Sequence, residues 1–183
     1  MLLMAAENVP LWNTPLLPVL FSVSAFDTGV ALVELVAVLA SKKDPLAPKA
    51  RTLMERIVVV LVLLEGVVMA AFLASMLGGD AQTAIGATAA SSASLLVSGG
   101  LAVCFWGMVV ACGLALPLVM AVAGLVLHGR AKKKPGAGQH GSGVLMAMGA
   151  AGALVGGCEL RFLILAAGVH ADVVAETVRG LIG

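Results

Sequence analysis

The chain has 183 residues, of which 61% are hydrophobic and 11% are charged, and its formal net charge is +1. This composition excludes a soluble globular domain and indicates an integral membrane protein. The basic residues are concentrated in two short segments, a pattern that indicates membrane topology rather than a nucleic-acid partner.

Four apolar stretches are long enough to cross a bilayer, which requires about 20 residues of α-helix. We therefore predict an all-α integral membrane protein that forms one membrane domain, residues 1–183. The transmembrane helices are predicted, in chain order, at about 16–40, 56–77, 95–127 and 144–168, with a short amphipathic tail at 170–183. The third stretch is longer than a span needs, and we expect it to bend at Pro117, which cannot donate to the carbonyl of Gly113.

The charges of the connecting segments predict the orientation. Five positive charges lie in Ser41–Arg56 and four in His128–Gly143, whereas residues 1–11 and Gly78–Ser94 carry none. An excess of Lys and Arg marks cytoplasmic loops. We therefore expect both basic connections inside the cell and both termini on the extracytoplasmic side.

Five ionisable side chains fall inside the predicted spans: Asp27, Glu34, Glu65, Glu159 and Arg161. A charged group in a membrane helix costs at least about 2.5 kcal/mol, so such groups usually face a bundle interior or a water-filled path. Asp27 and Glu34 are two helical turns apart and lie within about 20° of each other around the first helix. We expect this acidic face to contact protein rather than lipid.

The fourth predicted helix carries an acid and a base that cannot pair with each other. Glu159 and Arg161 project about 160° apart around the helix. Glu159 shares its face with Gly152 and Gly156, a GxxxG pair that predicts close approach of another helix backbone. Arg161 is expected near a carboxylate of another helix or near the outer interface.

Two interpretations of the intramembrane charges stay open. With four acids and one base, full ionisation would leave three uncompensated negative charges, so we expect some acids to be protonated. In one interpretation these acids relay protons across much of the bilayer. In the other they are structural groups that fix helix packing or pair across a subunit interface.

No catalytic or metal site is predicted. The three histidines, His128, His140 and His170, lie at or beyond the helix ends, which disfavours a haem-binding subunit. The cysteines lack the CxxC spacing of an iron–sulfur or zinc site, and there is no glycine-rich nucleotide loop. Metal centres for any redox chemistry are therefore expected on other chains.

Four sequence blocks over residues 12–168 resemble the C-terminal half of the NrfD/polysulfide reductase membrane-subunit family. They are WNTPLLPVLFSVSAFDTG, LLEG around Glu65, FWGMVVACGLALP and LVGGCELRFLILAAG. The resemblance implies half of an eight-helix bundle, serving as the membrane anchor of a respiratory oxidoreductase in the bacterial cytoplasmic membrane. It also implies an iron–sulfur partner subunit, quinone-linked electron transfer and, as proposed for some relatives, proton translocation.

The family's first four helices, to which quinone contacts are usually assigned, have no counterpart in this sequence. We expect a second membrane subunit or a homo-oligomer to complete the bundle, unless the gene is fragmentary. No cofactor is expected to bind this chain directly, and any quinone is expected at an interface with a partner. Trp12 and Asn13 are candidate partner or quinone contacts, although a Trp that anchors the protein at the membrane interface is the simpler interpretation.

Two functions of other classes also stay open. One is a small proton- or cation-coupled transporter that works as a homo-oligomer, with Glu34 or Glu65 as its coupling site. The other is a purely structural anchor whose acids only pack helices.

Overall fold

The computed structural model describes residues 9, 11–40, 48–78, 83–131 and 139–168, and the amphipathic tail predicted at 170–183 lies outside them. Within this part of the protein all regular structure is helical. The elements, in chain order, are α1 (Leu16–Ala40), α2 (Pro48–Leu77), α3 (Ala84–Val97), α4 (Ala102–Cys104), a π-helical segment (Phe105–Ala115), α5 (Leu116–Ala131) and α6 (Gln139–Ala166).

Four helices of the described segments are long and apolar enough to cross a membrane, as predicted. These candidate spans are Leu16–Ala40, Lys49–Leu77, Ala102–Leu127 and Gly143–Ala166. The helix α2 begins at Pro48, about two turns before the expected start at Arg56. Proline suits a first helical position because its missing N–H would have no partner there.

The stretch predicted as one helix over 95–127 is divided in the structure. Thr83 caps a separate helix, α3, by accepting a hydrogen bond of 3.1 Å from a backbone N–H of the first turn. Two consecutive glycines, Gly99 and Gly100, follow the end of α3, and glycine disfavours continued helix. The third candidate span therefore begins at Ala102.

The third span contains an 11-residue π-helical segment. In its last turn the N–H of Leu116 donates to the carbonyl of Ala111, five residues back. The next donor in this pattern would be Pro117, which has no N–H, and the span continues from there as the α-helix α5. The structure thus shows a change of helix type beside Pro117, where we expected a bend.

The four spans form a closed ring of neighbours. The helix α1 packs against α2 and α6, α2 packs against α5, and α6 packs against both α5 and the π-helical segment. The buried residues of α1 recur at intervals of three and four: Leu17, Leu20, Ser24, Asp27, Ala31 and Glu34. The buried residues of α2 follow the same spacing: Glu55, Val58, Val62, Glu65, Met69, Phe72 and Met76.

The interior of this bundle has an apolar half and an acidic half. The apolar half lies near α3 and contains Leu20, Phe72, Phe105 and Leu163 in one cluster. The buried carboxyl groups lie towards the other end, where α1 leads to α2. The acids are therefore concentrated rather than scattered along the interior.

Close backbone contact between α6 and the π-helical segment, predicted from the GxxxG pair, is present. A Cβ built on Gly152 would lie 2.6 Å from the carbonyl oxygen of Cys112, and Gly156 lies directly against Gly113. Larger residues at these positions would force the two helices apart. The glycines are thus required for this packing.

Candidate functional site

Asp27 and Glu34 face the interior of the bundle. Only 2% and 4% of their surfaces are exposed, whereas the residues just before them, Phe26 and Val33, lie on the outer surface. Their separation by about two helical turns explains the shared direction. The expectation that this acidic face contacts protein agrees with the structure.

Two further acids approach the same interior from α2. Glu65, a predicted intramembrane acid, is 5% exposed, and Glu55, which is not among the predicted candidates, is 1% exposed. Sequence reasoning assigns Glu55 to the basic connection rather than to a span. The signal that identifies it is the helical spacing, because counting back from Glu65 by three and four residues reaches Val62, Val58 and then Glu55.

Three carboxyl groups line one narrow cavity between the helices, which we call the acidic cavity. Asp27 and Glu34 reach it from α1 and Glu55 from α2. The rest of its wall is mostly apolar and includes Val58, Pro117, Ala121, Met146 and Ala150. Its free space is on the order of one water molecule. A quinone head group is larger than this free space.

The carboxyl groups of the interior act on one another electrostatically. The Glu34 carboxyl is close enough to interact electrostatically with the carboxyls of Glu55 and Asp27. The Asp27 carboxyl interacts in the same way with that of Glu65. The Oδ1 atom of Asp27 is fully buried and has no hydrogen-bond partner in the described part of the protein. Such an atom costs free energy unless water or a proton satisfies it.

Glu65 has a basic neighbour on another helix. The Arg161 guanidinium attracts the Glu65 carboxyl across the bundle, and Nη1 of Arg161 also donates to the carbonyl of Gly157 at 2.8 Å. The Ser24 side chain lies beside the same carboxyl. Its buried hydroxyl makes no hydrogen bond within the described residues. Arg161 therefore lies near a carboxylate of another helix, one of its two expected surroundings.

Glu55 packs against the backbone of α5. A Cβ built on Gly124 would lie 2.8 Å from Cδ of Glu55. One turn earlier on α2, the Arg51 guanidinium lies near the beginning of the fourth span, with Nη2 at 3.9 Å from a Cβ built on Gly143. The Glu55 carboxyl thus occupies space that a side chain at position 124 would fill.

Glu159 lies apart from the acidic cavity. It is partly buried on α6 and is not among the residues that line the cavity. Each of the other four predicted intramembrane charges interacts electrostatically with at least one of the others: Asp27, Glu34, Glu65 and Arg161. The sequence-predicted set is therefore brought together except for this one residue.

Trp12 joins the segment before α1 to the end of α6. Its indole N–H donates to the carbonyl of Ile164 at 3.1 Å, and its ring covers Gly168, where a Cβ would lie 2.7 Å from Cε2. Asn13 is exposed. The indole of Trp12 is therefore engaged within the protein, whereas the side chain of Asn13 lies at the surface.

The acidic cavity is not arranged as a metal site. Among the described residues no three His, Cys, Asp or Glu side chains are placed to hold a metal ion together. The thiols of Cys104, Cys112 and Cys158 are free. The carboxyl groups that line the acidic cavity are groups that can bind and release protons.

Comparison with known proteins gives one family and one curated relative. The family model NrfD, described as polysulphide reductase, matches residues 1–172. The C subunit of polysulfide reductase from Wolinella succinogenes is 35% identical over 167 residues, which are 91% of this protein and 47% of the relative. The protein thus spans about half the length of the curated relative it matches. The comparison with solved structures gave no significant match.

Proposed function

The chain belongs to the NrfD family, and from this membership we propose that it is an integral membrane subunit of a respiratory oxidoreductase complex, without a catalytic site of its own. The observation that carries the proposal is the match of nearly the whole sequence to a named subunit of polysulfide reductase. A subunit of this kind works beside others. The multi-pass helical fold provides the membrane anchor.

In this role the protein holds an iron–sulfur subunit at the membrane and supports electron transfer linked to quinone. The acidic cavity has too little space for a quinone head group. We therefore assign the quinone to an interface with a partner subunit, with no cofactor bound by this protein alone. Asn13, exposed next to the segment that Trp12 holds, is the candidate contact at such an interface.

The four spans are proposed to form half of an eight-helix bundle. The matched region is about half of the relative, whose remaining length is sufficient for as many helices again. A second membrane subunit or another copy of this protein would supply the complementary helices. They would cover part of the exposed apolar surface, which includes Val103 and Phe162.

The proposed orientation places both termini outside the cytoplasm of a bacterium, with the complex in its inner membrane. Its support is the positive charge of Ser41–Arg56 and His128–Gly143. In this orientation the acidic cavity lies in the cytoplasmic half of the membrane. Asp27, Glu34 and Glu65 would then carry protons through that half, driven by a redox change at a nearby quinone or cluster.

Affinity purification of the tagged protein from its native membrane tests the subunit role. We expect an iron–sulfur protein and further quinone-binding membrane helices to elute with it in fixed proportion, and to be absent from an untagged control. Elution of a homo-oligomer with no redox partner would contradict the proposal. That result would favour the proton- or cation-coupled transporter.

A further inference from the structure

Glu55 is a buried acid to which neither the sequence motifs nor the proposed relay gives a role. It is 1% exposed and reaches the acidic cavity from α2, whereas Asp27 and Glu34 reach it from α1. It also lies nearest the beginning of α2, at the end of the bundle where α1 leads to α2. Glu55 lies seven residues after the start of α2 and Glu34 six residues before the end of α1, so both carboxyl groups lie near that end.

The acidic cavity contains an atom that requires a further partner. Oδ1 of Asp27 is fully buried and accepts no hydrogen bond within the described residues. The cavity beside it has room for about one water molecule, and buried waters typically satisfy such polar atoms. This geometry points to a ligand of the size of water between the three carboxyl groups.

The titratable groups that line the acidic cavity are all carboxyl groups. Asp27 and Glu34 face it from α1 and Glu55 faces it from α2, while the described lining from α5 and α6 carries no titratable group. Outside the lining, Arg161 interacts with Glu65, and Arg51 lies on α2 near Gly143. An ionised Glu34 would be repelled by an ionised Glu55 and an ionised Asp27, and a proton shared among the three lowers this repulsion.

We propose that Asp27, Glu34 and Glu55 form one proton-binding site around an internal water. Glu65, which interacts with Arg161, lies outside this site. A proton passes from the Glu55 carboxylic acid to the water as the acid O–H bond breaks, and the water then breaks one of its other O–H bonds to form a new O–H bond on the Glu34 or Asp27 carboxylate. No electrons are transferred. The site rests on the proposed function for its purpose, because it would feed that relay.

Infrared difference spectroscopy of the purified full-length protein, with any partners that elute with it, tests the site. Spectra at acid and neutral pH report the C=O stretch of protonated carboxyl groups. We expect Glu55→Gln to lose one component of this pH-dependent band, as Asp27→Asn and Glu34→Gln also do. Glu65→Gln is the matched control and should keep the Glu55 component. A Glu55→Gln spectrum identical to that of the unchanged protein would overturn the proposal.

A second variant keeps the test valid if Glu55→Gln fails to fold. Gly124→Ala leaves the carboxyl in place but puts a methyl group against it, so the Glu55 component should shift in frequency. Gly66→Ala, at a position with nothing within 4 Å, should shift nothing. An unshifted band in Gly124→Ala would count against Glu55 as a member of the site. The spectra can be recorded without catalytic turnover. The absence of a redox partner would therefore contradict the proposed function, but it would not prevent the test of this site.

Discussion

Asp27 and Glu34 illustrate how an apolar helix accommodates carboxyl groups. Both residues lie on the buried face of α1, whose members recur at intervals of three and four residues. Neither carboxyl group therefore contacts lipid. Nearby Thr28 satisfies its own hydroxyl locally by donating to the carbonyl of Ser24 at 2.8 Å. Oδ1 of Asp27 has no such partner among the described residues, so this carboxyl depends on what the acidic cavity holds.

Replacing a titratable carboxyl group on this face should stop proton movement. Asp27→Asn and Glu34→Gln keep the size of each side chain but cannot release a proton, so each should abolish redox-linked proton uptake while the complex still assembles. Uptake is measured with a pH-sensitive dye in vesicles that contain the complex. Glu159→Gln, outside the acidic cavity, is the control and should retain uptake. Loss of assembly in the Asp27 and Glu34 variants would favour the purely structural interpretation.

Trp12 is expected to matter for stability rather than for quinone binding. Trp12→Phe keeps an aromatic ring but removes the N–H that donates to Ile164, which should lower the free energy of unfolding by about 0.5–1.5 kcal/mol. Denaturation in detergent measures this change, and a quinone titration of the complex should give an unchanged affinity. Weaker quinone binding at unchanged stability would instead make Trp12 a quinone contact.

At the scale of the elements, apolar length predicts the four spans, but capping and packing decide where helices begin and end. Thr83 and the Gly99–Gly100 pair separate α3 from the third span. A hydropathy plot detects neither signal. The π-helical segment is harder still, because it lies where Gly113 meets Gly156 of a distant helix. Tertiary contact of this kind is not readable from one stretch of sequence.

The contact between α6 and the π-helical segment predicts a large difference between two glycine substitutions. Gly156→Ala places a methyl group on the Gly113 backbone, which cannot move aside easily, and should lower the free energy of unfolding by about 1–3 kcal/mol. Gly107→Ala, where nothing lies within 4 Å, should be nearly neutral. Denaturation of both variants in the same detergent provides the comparison. Equal stability of the two would show that the helices are not packed in this way.

At the scale of the whole molecule, the bundle separates an apolar interior near α3 from an acidic interior near the connection of α1 to α2. Periodicity in α1 predicts that Asp27 and Glu34 share the interior. It does not reveal Glu55, whose basic neighbours in sequence resemble a loop, nor that Glu159 stays apart. The position of Glu159 depends on how the four helices pair, which a single sequence does not specify, whereas the spacing of three and four residues along α2 could have identified Glu55.

The most direct test of the account is whether the acidic face of α1 points into protein in a bilayer. Spin labels are attached one at a time along α1 in a cysteine-free variant of the complex, and their accessibility to oxygen dissolved in the lipid is measured. Labels at Phe26 and Val33 should be highly accessible, and labels at Asp27 and Glu34 should be shielded. Accessibility at Asp27 and Glu34 as high as that at Phe26 would contradict the account.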